Sequence, residues 1–309
     1  MTELRSALQD YLAVRRALGH DLAGAQYLLE QFLGFLDQSG AAGVTTDLAI
    51  AWATLPAGTS AVYQAQRLSA VRGFASWLQS IDPSAEVPPA DIFPARPARA
   101  VPYLYTREEI AALMAATQNL RYPMRRCTYH ALVGLLASTG LRVGEAIRLD
   151  RADVCLDLGL VRVLRSKFGR SREVPLHPST VEALGRYARQ RDQLCPQPRS
   201  ASFFLTMDGT RLVYRTVHHV FDRMLHHAGL GSTPPGRPGP RIHGLRHTFA
   251  VSTLTGWYRA GADVPALLPL LSTYLGHTDP RSTYWYLSAT PELLALAACR
   301  LEDAFEGGR

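Results

Sequence analysis

Six side chains in separated segments of the chain could together act on a phosphate group. His243 and Arg246 are three residues apart in RIHGLRHTFA, which places both on one helical face. Arginines can hold the non-bridging oxygens of a phosphate, and histidines can exchange protons with it. A tyrosine hydroxyl can attack phosphorus and form a covalent ester. The six candidates are Arg142, Lys167, His243, Arg246, His277 and Tyr286.

Lys167 is the only lysine among the 33 basic residues of the chain. It lies in RSKFGRSREVPL, which reads as the tip of a β-hairpin. Arginine keeps its proton at ordinary pH, whereas lysine can release one and so protonate a departing alkoxide. Retention of a surface lysine by chance is the alternative.

The order Arg, Lys, His-x-x-Arg, His, Tyr resembles the tyrosine recombinases, the phage-integrase class of site-specific recombinases. STGLRVGE resembles their first arginine box, HGLRHTFA the second, and LGH with a tyrosine nine residues later the third. The resemblance covers about Tyr103 to Glu292. It implies DNA integration, excision or transposition, by strand cleavage and rejoining through a 3′-phosphotyrosyl bond to Tyr286. It also implies that neither a metal nor a cofactor is needed.

The resemblance assigns a role to each of the six residues. Tyr286 attacks the phosphate, and Arg142 and Arg246 clamp it. His277 bonds a non-bridging oxygen, His243 assists proton transfer at the tyrosine, and Lys167 protonates the leaving 5′-oxygen.

Tyr284 is the rival nucleophile, two residues before Tyr286, and the spacing from His277 favours Tyr286. We expect Glu145 to orient a neighbouring arginine. We leave His247 out of the site, because adjacent residues such as Arg246 and His247 do not share a helical face.

Composition indicates a two-domain protein of 309 residues with a net charge of +7. Residues 1–100 carry 7 Arg against 9 acidic residues, a net charge of −2, and residues 101–309 carry the remaining +9. A basic second segment permits contact with nucleic acid. The sequence shows no membrane span and no signal-peptide pattern, and its four cysteines are scattered. We therefore expect a cytoplasmic, nucleoid-associated protein.

The chain divides by pattern into three parts. Helical periodicity in residues 1–82 predicts a helical core-binding domain that clamps DNA, with no strand. Six prolines in residues 82–102 predict an extended, semi-rigid linker, placed at 83–102, and an ordered loop packed on one domain is the alternative. Residues 103–309 form the expected catalytic domain. The fold class is mainly α with a small antiparallel sheet, and the resemblance implies a C-shaped, two-domain DNA clamp.

Local signals within the second part predict its elements. Thr106 and Glu109 form a capping-box pair before a helix, and a second helix ends near Gly140. Short strand-like runs at 152–156, 160–164 and 173–176 predict the sheet. After Pro291 a terminal helix could dock on a neighbouring protomer or fold back on its own domain. Its expected buried face consists of Leu293, Leu294, Leu296, Ala297 and Leu301.

Double-stranded DNA is the expected partner, bound by a homo-tetramer, with an accessory recombinase or DNA-bending protein possible in this class. Candidate DNA contacts are arginines that we expect to position the backbone rather than read bases. They are Arg16, Arg67, Arg72, Arg165, Arg170, Arg172, Arg241 and Arg281.

Two other functions remain open at this point. One is a DNA-binding protein of the same fold that has lost its chemistry. The other is a topoisomerase of type IB, which relaxes DNA without choosing a site. The stretch GHTDPRSTYWYLSATPELL favours recombinases carried on transposons or integrative elements over those that resolve chromosome dimers.

Overall fold

The chain folds into two compact units, residues 1–100 and 101–309. The computed structural model describes residues 2–20, 22–55, 57–93, 101–164, 171–231, 238–288 and 290–306. Within these ranges the protein is mainly helical with one three-stranded antiparallel sheet, as predicted. No described helix combines the length and the apolar character needed to cross a bilayer.

The first unit is a bundle of four helices, with no strand in its described part. These are α1 (Thr2–Ala17), α2 (Ala23–Gln38), α3 (Thr46–Thr54) and α4 (Ala61–Leu78). The N-cap side chains of Thr45 and Ser60 accept backbone N–H bonds and fix the starts of α3 and α4. Phe32 and Phe74 are fully buried at the centre of the bundle.

Arg67, a candidate DNA contact from the sequence, is buried. It is only 5% exposed, and its guanidinium lies 3.7 Å from the ring centroid of Trp52 on α3. Arg67 Nη2 also donates to the Trp52 carbonyl at 2.8 Å. An aromatic face and a carbonyl thus hold this arginine inside the bundle.

Part of the segment predicted as a linker packs against the first unit. Ala85 is buried, and Val87, Ile92 and Phe93 lie against the same core. Glu86 accepts a hydrogen bond from the Thr46 backbone at 2.8 Å. Residues 85–93 therefore lie against the first unit, because their apolar side chains have a core to join.

The second unit contains nine further helices among its described residues. They are α5 (Arg107–Ala116), α6 (Pro123–Thr139), α7 (Val143–Arg148), α8 (Pro178–Leu194), α9 (Tyr214–His227), α10 (Gly244–Arg259), α11 (Val264–Leu275), α12 (Arg281–Tyr284) and α13 (Pro291–Glu306). Short 3₁₀ turns occur at Thr117–Asn119, Arg151–Asp153 and Trp285–Ser288. The predicted capping box at α5 is present, with Thr106 and Glu109 satisfying each other's backbone N–H groups.

The sheet consists of β1 (Val154–Cys155), β2 (Leu160–Val163) and β3 (Arg172–Pro175), in the order β1-β2-β3. Both pairings are antiparallel, and Val161 lies opposite Val174. These two valines are fully buried, so the alternating pattern fixes which face of the sheet meets the core.

The terminal helix α13 lies against α10 in the single chain. Leu293 is fully buried in the cluster formed with Leu254 and Leu271. Leu294 remains 53% exposed, so the predicted apolar face is only partly covered by the helix's own unit.

Candidate active site

Arg142 lies directly after the end of α6 and before α7. α6 stops at Gly140, whose left-handed backbone (φ 62°) turns the chain. Arg142 Nη1 donates to Glu145 Oε1 at 2.8 Å, and Nη2 donates to the Gly276 carbonyl at 3.0 Å. These two bonds fix the guanidinium, and the side chain is still 30% exposed to solvent.

Arg246 lies on α10 and is 2% exposed. Its Nη1 donates to the Gly140 carbonyl at 2.7 Å and its Nη2 to the Leu275 carbonyl at 2.8 Å. Burial and the nearby charge of Arg142 lower the pKa of Arg246 to about 10, which still leaves it cationic at neutral pH. Arg246 therefore joins the ends of α6 and α11 to α10, and Arg142 joins the start of α7 to the end of α11.

Glu145 connects Arg142 to a third arginine, Arg172 on β3. Arg172 Nη2 donates to Glu145 Oε2 at 2.9 Å, and Arg172 Nε donates to the Tyr274 carbonyl at 2.8 Å. Burial alone would raise the pKa of Glu145, but its hydrogen bonds and charge pairing with Arg172 and Arg142 outweigh burial and lower it. We call Arg142, Glu145, Arg172 and Arg246 the arginine pocket.

Arg172, another candidate DNA contact, is largely buried. Its side chain is only 10% exposed, and its guanidinium faces Glu145 and the end of α11. The side chain completes a buried ion pair, so it acts inside the protein. Glu145 orients Arg142, as expected from the sequence.

Two of the predicted histidines border the pocket. His243 precedes α10; partial burial, followed by repulsion from Arg246 and Arg142, lowers its pKa to about 4, although the ring keeps access to solvent. The His277 Nδ1 lies 2.7 Å from Thr283 Oγ1, and Thr283 is buried. His243 therefore stays neutral at physiological pH, and His277 is held by its own segment.

The segment that carries the candidate nucleophiles, residues 277–288, is named the tyrosine segment. Tyr286, in the 3₁₀ turn Trp285–Ser288, is 3% exposed, and its ring is roughly parallel to that of His277 with centroids 6.2 Å apart. Tyr284 ends α12 and is 52% exposed. The structure thus brings Tyr286 to the predicted histidine and leaves Tyr284 at the surface.

His247, which sequence reasoning excluded, lies within the site. Its Nδ1 is 3.1 Å from the Tyr286 hydroxyl, and its ring centroid is 4.8 Å from that of His243. The comparison with Arg246 was the wrong one, because His243 and His247 are four residues apart and share a face of α10. That spacing was the sequence signal for this residue.

The remaining predicted residues are dispersed. Lys167, Arg165 and Arg170 fall outside the described residues, between β2 and β3, which pair antiparallel. Arg241 and Arg281 are exposed near the ends of α10 and α12. In the first unit Arg16 is exposed beside Gln26, and the half-buried Arg72 donates to the Pro89 carbonyl at 3.2 Å.

This arrangement is suited to bind a phosphate and to transfer it to a phenol. A guanidinium carries five N–H donors, and the bonds of Arg142 and Arg246 to Glu145 and to backbone carbonyls each use two nitrogens, so N–H groups remain for an anion. Within the described ranges, no three His, Cys, Asp or Glu side chains come together as a metal site.

Comparison with known proteins places these features in a family context. The model of the phage integrase family matches residues 104–292, which include all six predicted catalytic residues. The integrase/recombinase y4rB of Sinorhizobium fredii is 40% identical over 99% of both chains. A tyrosine recombinase XerC of Chlamydia trachomatis is 31% identical over 74% of this chain and 67% of its own length.

Solved structures share the fold. The integrase of transposon Tn1549, in complex with circular intermediate DNA, covers 96% of this chain and 99% of its own, with a TM-score of 0.66 and 18% identity. The XerA recombinase covers 96% and 98%, with a TM-score of 0.52 and 22% identity.

Proposed function

We propose that Tyr286 is the nucleophile of this chain, which belongs to the phage integrase family of tyrosine recombinases and acts on double-stranded DNA in site-specific recombination. The observation that supports Tyr286 is its position. Its hydroxyl is enclosed beside His247, and its ring lies beside that of His277, whereas Tyr284 is exposed. Attack by the hydroxyl would give a 3′-phosphotyrosyl bond and a free 5′-hydroxyl.

The arginine pocket would bind the scissile phosphate. Arg142 and Arg246 would each donate N–H groups to its non-bridging oxygens and neutralise the charge that grows in the transition state. His277 would donate to one of those oxygens while Thr283 fixes its other side. Because the guanidinium groups are already fixed by backbone carbonyls, little reorganisation is needed when the phosphate arrives.

Protons must leave the tyrosine and reach the departing oxygen. Lys167, whose segment follows β2, would protonate the 5′-oxygen. His243 would assist proton transfer at the centre. The phosphotyrosyl bond stores the energy of the broken phosphodiester, so rejoining needs neither a nucleotide cofactor nor a metal. Reversal of the same steps on a second duplex completes strand exchange.

We further propose that the two units grip DNA as a clamp and that four protomers assemble on two duplexes. The partly covered α13 would then pass to a neighbouring protomer, where Leu294 would be buried. Residues 1–82 would form the DNA-clamping domain, 83–102 its connection and 103–309 the catalytic domain. Backbone contacts would come from the arginines that remain candidates: Arg16, Arg72, Arg165, Arg170, Arg241 and Arg281.

The biological role that we favour is movement of a transposon or an integrative element. The similarity to y4rB spans the whole chain, whereas the XerC match covers 74% of it. We place the protein at the nucleoid, where its substrate lies.

The test is covalent adduct formation on DNA fragments taken from the flanks of the gene. Wild type, Tyr286→Phe and Tyr284→Phe are incubated with end-labelled fragments, denatured and resolved by gel. We expect a 3′-linked adduct at a discrete site for wild type and Tyr284→Phe, and none for Tyr286→Phe. DNA retention by all three proteins, measured by mobility shift, shows that binding is intact.

Other outcomes would contradict the proposal. An adduct that persists in Tyr286→Phe and is lost in Tyr284→Phe moves the nucleophile to Tyr284. Bound DNA with no adduct in any variant indicates a binding role. Relaxation of plasmids without a preferred site indicates a topoisomerase.

A further inference from the structure

His247 occupies the position that a general base for the tyrosine requires. Its Nδ1 lies 3.1 Å from the Tyr286 hydroxyl, inside the range of about 2.6–3.2 Å over which a base can take a proton directly. Tyr286 is 3% exposed. The Trp285 ring packs at an angle to His247, with centroids 5.6 Å apart, and also lies against the Tyr286 ring. The contact is therefore made largely out of bulk water.

The other two histidines face different groups. His277 directs its Nδ1 to Thr283, and its ring lies parallel to Tyr286 rather than end-on to the hydroxyl. His243 lies one turn before His247, perpendicular to it, and is close enough to Arg142 and Arg246 to feel their charge. His277 Nδ1 thus lies against Thr283, His243 lies beside the two arginines, and His247 Nδ1 lies against the phenol oxygen.

We propose that His247 is the general base that accepts the proton of the Tyr286 hydroxyl during strand cleavage; this inference rests on Tyr286 being the nucleophile. A phenol has a pKa near 10, so at neutral pH its hydroxyl is mostly protonated and weakly nucleophilic. Imidazole titrates near neutrality and can both accept and return a proton. His247 is then a catalytic residue, since it touches the reacting atom.

The step balances without another reactant. The Tyr286 O–H bond breaks, its proton passes to Nδ1 of His247, and the phenolic oxygen forms the new bond to phosphorus. The bond from phosphorus to the 5′-oxygen breaks, and that oxygen takes a proton from Lys167. In rejoining, His247 returns its proton to the phenolic oxygen as it departs. His247 must carry its resting proton on Nε2, which leaves the Nδ1 lone pair facing Tyr286.

The experiment uses a nicked duplex carrying the site found by adduct mapping, in which loss of a short fragment prevents rejoining. The rate of adduct formation is measured at saturating DNA for wild type, His247→Asn and His247→Ala. Asparagine can still hydrogen-bond the Tyr286 hydroxyl but cannot accept its proton. We expect both variants to react about 10²–10⁴-fold more slowly. His227→Asn, an exposed histidine at the end of α9, is the matched control and should react like wild type.

A second measurement separates base catalysis from positioning. Fluorotyrosine in place of Tyr286 lowers the pKa of the phenol and so reduces the need for a base. We expect this replacement to raise the rate of His247→Asn about ten-fold or more, and that of wild type far less. Thermal unfolding and DNA affinity of each variant are measured as well, so that a slow rate caused by a folding or binding defect is recognised.

The inference is overturned if His247→Asn reacts at the wild-type rate, or if it is slow and fluorotyrosine does not accelerate it. Either result would leave His247 with a positioning role at most. Failure of the underlying proposal looks different: Tyr286→Phe would still form the adduct, or wild type would form none.

Discussion

The arginine pocket and the tyrosine segment lie next to each other but are built in different ways. The pocket is held by bonds between distant parts of the chain: Arg142 and Gly276 are 134 residues apart, and Arg246 and Gly140 are 106 apart. In the tyrosine segment, the His277–Thr283 contact spans six residues, and the neighbouring elements are four residues long. The pocket is thus held by hydrogen bonds between distant parts of the fold. The tyrosine segment is short and has contacts within itself, and its Tyr286 is also held against α10 through His247.

This difference separates the consequences of substitution. A change in the pocket should disturb folding and phosphate binding together, because the same guanidinium groups do both. Removal of the Tyr286 hydroxyl should affect the reaction and leave folding intact.

Arg246→Ala should have the largest effect. It removes one phosphate ligand and leaves the carbonyls of Gly140 and Leu275 without their donor. We expect adduct formation to slow by about 10³-fold or more, as for loss of an arginine that stabilises a phosphoryl transition state. The melting temperature should fall as well, because buried carbonyls lose their partners.

The matched control is Arg186→Ala on α8, an arginine 59% exposed in its pair with Glu182. It should leave both the rate and the melting temperature nearly unchanged. If Arg246→Ala slowed the reaction without lowering the melting temperature, the result would contradict the view that the pocket serves both folding and phosphate binding.

Glu145→Gln should destabilise the fold because it breaks a buried pair. Glu145 is 3% exposed and neutralises Arg142 and Arg172. Loss of one partner of a buried pair costs about 3–5 kcal/mol in the free energy of unfolding. Glu173→Gln, which alters the exposed pair with Arg162, should cost less than about 1 kcal/mol. Urea unfolding of both variants at pH 7 gives the comparison.

The effect of Glu145→Gln should depend on pH. The folded-state pKa of Glu145 is lowered, so its stabilising contribution is present above the unfolded value of about 4.3. The contribution is lost as pH falls through the folded pKa. The gap in unfolding free energy between wild type and Glu145→Gln should therefore narrow below about pH 4. A gap that stays constant down to pH 3 would contradict this assignment.

Much of the fold could be predicted because its signals are local. The capping pair Thr106–Glu109, the stop at Gly140 and the alternating runs around Gly159 each act over a few residues, and the structure confirms the elements they predict. The order of the catalytic boxes along the chain likewise needs no knowledge of packing.

The errors occurred where a side chain's partner lies on another element. Arg67 lies four residues before Val71 and therefore shares the buried face of α4, where Trp52 on α3 covers its guanidinium. Arg172 resembles a surface arginine of a hairpin until Glu145 and the Tyr274 carbonyl are seen beside it. His247 was excluded by considering its sequence neighbour instead of the residue one turn away. The partners of Arg67 and Arg172 are long-range contacts that a helical or strand period does not identify, whereas the four-residue spacing from His243 to His247 was visible in the sequence.

The smallest predicted effect concerns Gly276, where the two regions join. Its backbone is left-handed (φ 68°), and an added Cβ would lie 2.5 Å from Arg172 Nη1, which Glu145 holds in place. Gly276→Ala should cost about 1–2 kcal/mol for the left-handed backbone, since Gly276 ends α11 as its cap. It should also slow adduct formation, because the Gly276 carbonyl binds Arg142.

The matched control is Gly256→Ala, inside α10, where an added Cβ meets no atom within 4 Å. Alanine is the better helix former, so this variant should gain about 0.5–1 kcal/mol and keep the wild-type rate. If Gly276→Ala is destabilised but reacts at the wild-type rate, the start of the tyrosine segment can shift without moving Arg142. The pocket and the segment would then be mechanically independent. If stability and rate fall together, Gly276 is the point at which the fold of the pocket sets the position of the nucleophile.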